Sequence, residues 1–131
     1  MQCLNAKRIP VLIQTPADLD AFWRGFKAQL DEFRRIQIPY LGNLTTLCHL
    51  FLELGYDCAK PDTIVMKTAQ DLQLGGFTSA MSFTDKRRRK TVRLMQLYTL
   101  CRGIRTQVVD LYFLIHGGQT GAREYVQSDF Y

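Results

Sequence analysis

The chain has 131 residues, 47% of them hydrophobic and 22% charged, with a formal net charge of +5 and a pI near 9.2. This is ordinary globular composition, long enough for one domain with its own core, and it shows neither an internal repeat nor a low-complexity segment. No apolar run reaches the length of a membrane span, and the start of the chain lacks the apolar region of a secretory signal. Cys3, Cys48, Cys58 and Cys101 are scattered without a CxxC pair. A cytoplasmic protein with no membrane association, no metal and no cofactor is therefore expected. The basic balance favours acidic partners, nucleic acid first.

Residues 1–14 contain Ile9-Pro10-Val11-Leu12-Ile13, an extended arm or an edge strand, since Pro10 argues against a central one. Such an arm packs on its own domain or on a second subunit. Thr15-Pro16-Ala17-Asp18 is a helix start: Thr15 caps, Pro16 fits the first position, and Asp18 meets the positive end of the dipole. Leu19, Phe22, Trp23, Phe26, Leu30 and Phe33 follow at helical spacing and predict an aromatic core face on a helix ending near Arg35. Arg24, Lys27, Asp31 and Arg34 occupy its other face.

Pro39 then stops the helix, Gly42 is expected to supply a positive φ for the reversal, and Asn43 caps a second helix. That helix, 43–54, should bury Leu44, Leu47, Cys48, Phe51 and Leu54 before Gly55 ends it. Asp62 caps a third helix, with Val65, Ala69 and Leu72 inward and Gly75-Gly76 as the stop. Residues 77–83 read as loop. Thr84 or Asp85 caps a helix to Arg102 whose apolar side is Val92, Leu94, Met95, Leu97, Tyr98 and Cys101, with Gly103 as the stop. Thr106 caps a last helix, 107–116. Residues 108–115 are β-branched and nearly continuous, so propensity alone would allow a buried strand; with no partner strand in view, helix is assigned. Residues 119–131 form a polar, loosely packed tail. The sum is a single all-α domain, a compact orthogonal bundle of five helices.

Several residues could carry chemistry. Tyr40, Gly42, Asn43 and Thr45 lie where a chain reversal opens a helix, whose unpaired amides can hold a phosphate. The same turn could serve packing alone. Lys86, Arg87, Arg88, Arg89 and Lys90, with Arg93, make the sharpest charge cluster, suited to salt-sensitive phosphate contact or to plain solvation. Arg102 and Arg105 could extend it. Asp62 caps a helix, whatever else it does. His49 and His116 lack metal-ligand spacing. Tyr40 and Tyr56 could stack on a base, though burial is the expectation for both. Asp110 sits inside an apolar run and is expected to form a structural ion pair.

Pro39-Tyr40-Leu41-Gly42-Asn43-Leu44-Thr45-Thr46, then a helix, then Lys60-Pro61-Asp62 opening another helix, resembles the helix-hairpin-helix DNA glycosylase superfamily. That family's pattern is roughly Leu-Pro-Gly-Val-Gly-x-Lys-Thr-Ala, an aliphatic helix, and an aspartate opening the next. The 18 residues from Leu44 to Asp62 match its interval, and the similarity covers residues 36–74. The resemblance implies an all-helical neighbourhood, duplex DNA as partner, and Asp62 as the carboxylate that stabilises positive charge on the sugar when the glycosidic bond breaks. Tyr40 replaces the first hairpin glycine. Leu44 stands where bifunctional members carry the nucleophilic lysine, so lyase chemistry is not implied. The chain is also shorter than a typical member and lacks the four-cysteine motif and much of a base pocket. The first expectation is thus a nucleic-acid-binding helix-hairpin-helix domain, DNA repair-related, with reduced or no catalysis. The alternatives are a monofunctional base-excision glycosylase using Asp62, and a protein-interaction or self-associating helical domain, a homo-oligomer included, that does not bind DNA.

Overall fold

A computed structural model describes residues 9–76 and 82–117. Along them run α1 (Pro16–Arg35), α2 (Leu44–Glu53), α3 (Thr63–Asp71), a 3-10 turn (Leu74–Gly76), α4 (Asp85–Arg102) and α5 (Thr106–Gly117). There is no strand among the described residues, and no described helix is long and apolar enough to cross a membrane. The expected loop falls partly, and the expected tail wholly, outside the described residues.

Four helices start where a side chain can replace the missing acceptor of the first turn. The Thr15 hydroxyl accepts the Asp18 amide at 3.1 Å while Asp18 accepts the Thr15 amide at 3.2 Å, a reciprocal capping box. Asn43 accepts the Thr46 amide at 3.1 Å, Asp62 that of Val65 at 2.9 Å, and Thr84 that of Arg87 at 3.3 Å. Thr84, not Asp85, is thus the cap of α4.

The core is aromatic. Phe51 of α2 lies edge-on to Phe22 and Phe26 of α1, at centroid separations of 5.8 and 5.3 Å, and packs on Tyr56 at 4.8 Å. The apolar arm joins this core. Ile9 and Ile13 are buried, and between them the Val11 carbonyl accepts the Asp57 amide at 2.8 Å. The arm therefore packs on its own domain, and it is not a strand.

Five inward assignments fail. Leu54 and Leu72 are exposed, because each is the C-cap of its helix, where the chain leaves the core-facing stripe. On α4, Leu97, Tyr98 and Cys101 are exposed, and the buried face is Thr91, Val92, Met95, Gln96 and Thr99. The reason is a buried polar network. Trp23 Nε1 donates to Gln96 Oε1 and Gln96 Nε2 donates to the Asp57 carbonyl, both at 2.7 Å. Thr99 and Thr106 share a hydrogen bond at 3.0 Å. Buried polar groups with partners are cheap to keep, so α4 turns Gln96 and Thr99 inward and Leu97 and Tyr98 outward, although Thr91 Oγ1 is buried without a partner among the described residues.

Candidate nucleic-acid interface

The hairpin is built from strained backbone. After α1 ends at Ile36, Gln37 and Tyr40 both take left-handed conformations, with φ of 57° and 69°. The Ile38 amide reaches back to Phe33 at 3.2 Å, and the Asn43 amide closes the turn on the Tyr40 carbonyl at 3.1 Å. Gly42 is not the source of the positive φ. Its hydrogen makes room for α1: a Cβ there would stand 3.1 Å from Arg34 Cγ, and Arg34 Nε donates to the Gly42 carbonyl at 2.8 Å. Tyr40 is 83% exposed, against the expectation of burial, whereas Tyr56 is buried as expected.

The turn borders an open polar hollow of about 410 Å³, lined by Arg34, Gln37, Tyr40 and Asn43, with Asp85 across from them. Arg34 Nη2 reaches Asp85 at 3.5 Å, which moderates the positive charge of the hollow. Thr45 lies in the first turn of α2, just beyond.

The basic run divides by role. Arg88 is a clamp. Its Nη1 donates to the Pro61 carbonyl and to Thr45 Oγ1, the latter at 3.4 Å, while Nε donates to the Phe83 carbonyl at 3.2 Å. Arg87 Nη1 donates to the Ser82 carbonyl at 2.7 Å, Lys90 reaches the Gly75 carbonyl at 3.3 Å, and Arg93 pairs with Asp20 at 2.8 Å. Lys86 and Arg89 are exposed and make no hydrogen bond or ion pair among the described residues. Arg105 belongs elsewhere, paired with the buried Asp57.

The Arg88 clamp joins the hairpin to the acid. Thr45 opens α2 and Pro61 precedes Asp62, so one guanidinium holds the starts of α2 and α3 together. Asp62 is half-buried, with one oxygen committed to the cap. Nearby, Asp110 Oδ1 accepts the Lys60 amide at 2.9 Å. Asp110 forms no ion pair among the described residues, so the expected cation is replaced by a backbone donor. Burial, with Asp62 adding like charge, pushes its carboxyl up to about 6, although the Lys60 amide and His49 pull the other way. His49 Nε2 faces Glu53 at 3.6 Å.

Burial, with the neighbouring Cys58 thiol adding to it, pushes the Cys48 thiol up, which makes it a poor nucleophile. Among the described residues no group of three histidine, cysteine or acidic side chains could hold a metal ion. Sequence reasoning missed Asp57 and Gln96, and it set Arg105 beside the basic run when its partner is Asp57. The findable signal was Trp23, whose indole N–H needs an acceptor once buried. Neither protein-family models nor curated proteins nor solved structures match this chain.

Proposed function

We propose that the chain is a nucleic-acid-binding domain of helix-hairpin-helix type. The turn through Tyr40, Gly42 and Asn43 and the first turn of α2 take a backbone phosphate, and the exposed Lys86 and Arg89 extend the contact along the duplex. The observation that carries this reading is the Arg88 clamp, which sets the start of α4, with its exposed Lys86 and Arg89, against the starts of α2 and α3.

Binding to a short duplex across a salt series tests it. Affinity should fall steeply with salt, and Lys86→Ala with Arg89→Ala should lower the log–log slope by roughly 1 to 2, since each phosphate contact contributes about 0.9. Arg88 is unsuited to this test, because removing it would also loosen the fold. Absence of binding at low salt removes the proposal.

A second reading has one observation in its favour. Asp62 and Asp110 are neighbouring carboxylates in different environments, one on a helix start and one raised by burial. In a monofunctional glycosylase, Asp62 would stabilise the developing cation. Asp62→Asn should then abolish base release and leave duplex binding intact; equal activity in both proteins excludes it.

A further inference from the structure

The hollow beside the hairpin has a lining that a phosphate does not explain. Its two charged side chains, Arg34 and Asp85, face each other at 3.5 Å and carry opposite signs. Arg34 is also engaged by the Gly42 carbonyl. An anion entering here would gain nothing from net charge and would meet the Asp85 carboxylate. A neutral, flat, polar group is better matched. Asp85 accepts hydrogen bonds, Arg34 donates them, and the exposed Gln37 amide does both. At about 410 Å³ the hollow is in the size range of small-molecule sites.

The ring at its rim suits the same ligand. Tyr40 is the most exposed large apolar side chain among the described residues, at 83%. So exposed a ring keeps a face open for stacking, and every nucleobase has a π-face to lay on it and an edge of donors and acceptors to offer the lining. A base inside a duplex can give neither, because its faces are stacked on neighbours and its pairing edge is used. The cations lie where the rest of the strand would pass. Lys86 follows Asp85 directly, and Arg89 stands one helical turn on from Asp85, on the same side of α4. Charge and stacking thus address different parts of one nucleotide chain.

We propose that the hollow holds one unpaired nucleobase, stacked on Tyr40 and hydrogen-bonded by Asp85, Arg34 and Gln37, so that the domain prefers a duplex carrying a single-stranded extension. This rests on the reading of the hairpin as a nucleic-acid interface and adds the strandedness of the ligand. A blunt duplex can supply such a base only by opening its terminal pair, a cost that the extension avoids.

Fluorescence anisotropy with three DNA probes tests it: a short blunt duplex, the same duplex with a three-nucleotide overhang, 3′ or 5′, and that overhang made of abasic nucleotides, which adds the phosphates without the bases. In at least one polarity the base-bearing overhang should bind about fivefold or more tighter than the abasic one, and tighter than the blunt duplex. Tyr40→Phe should keep this ratio. Tyr40→Asn, which removes the ring and suits left-handed backbone, should bring it close to one while the helical circular dichroism is retained. Equal affinity for base-bearing and abasic overhangs, or a ratio that survives Tyr40→Asn, overturns the proposal and leaves duplex binding in place. Absence of binding to all three probes at low salt overturns both.

Discussion

Asp57 and Asp110 are both aspartates that the fold takes out of water, and they are treated in opposite ways. Asp57 is 4% exposed and fully engaged. It pairs with Arg105, its other oxygen accepts the Ile13 amide at 2.9 Å, and its carbonyl accepts Gln96. Asp110 has a single backbone donor and another carboxylate for a neighbour. The first ties the N-terminal arm, the chain after α2, and helices α4 and α5 into one piece. The second lies beside the loop that delivers Asp62. The contrast is between these two carboxylates and not between a satisfied core and a strained site, since Gln29 Nε2, Thr91 Oγ1 and Gln107 Oε1 are also buried without a hydrogen-bond partner among the described residues.

The largest effect should come from breaking the satisfied member. Asp57→Ala strands the Ile13 amide and Arg105 together, and a broken buried pair typically costs about 3 kcal/mol or more. Because Arg105 is itself 44% exposed, its own removal should cost less, with the remainder appearing as coupling in a double-mutant cycle. Urea unfolding measures both, and a loss under about 1 kcal/mol for Asp57→Ala would show that the network is incidental.

Asp110→Asn should act in the opposite direction. The folded-state carboxyl is raised from 3.8 to about 6, so the native state binds the proton more tightly than the unfolded chain does. The contribution of this group is favourable when it is protonated and is lost as pH rises through that window. An amide keeps an acceptor for the Lys60 N–H and never ionises. The variant should therefore gain roughly 2 kcal/mol at neutral pH and nothing at pH near 4. A gain of equal size at both pH values would trace the effect to packing instead of charge.

Much of the fold was legible because its signals are local. Thr15, Asn43, Asp62 and Thr84 cap helices through contacts three residues away, so spacing alone reveals them. The rest depends on distant partners. Nothing near Gln96 in the chain foretells Trp23, which bonds to it from 73 residues away, and that bond sets the rotation of α4. Read by hydrophobicity, α4 shows Leu97 and Tyr98 inward; once the network is satisfied they face out. The hairpin was legible as a turn, but its chemistry was assigned to the wrong residue. Gly42 is small to admit Arg34, and the left-handed backbone falls on Gln37 and Tyr40.

The smallest effect concerns that misassigned turn, and it is the most informative about function. A tyrosine in left-handed backbone is held against its own sterics by about 1 kcal/mol, which glycine would relieve in part, since glycine also frees the unfolded chain. The Tyr40 ring is too exposed to lose much packing. Tyr40→Gly should thus be neutral to stabilising by up to ~1 kcal/mol, read as a rise in the urea midpoint. If the turn merely reverses the chain, that gain comes free and duplex affinity is unchanged. If the ring at the rim of the polar hollow meets a nucleotide, the same substitution should weaken binding about fivefold or more, as a lost aromatic contact of 1 to 3 kcal/mol would require. A protein that becomes sturdier and binds less well would place the strain of this turn in the service of its ligand; a protein that binds equally well would make the hairpin a hinge of the fold and leave Lys86 and Arg89 to carry the interface alone.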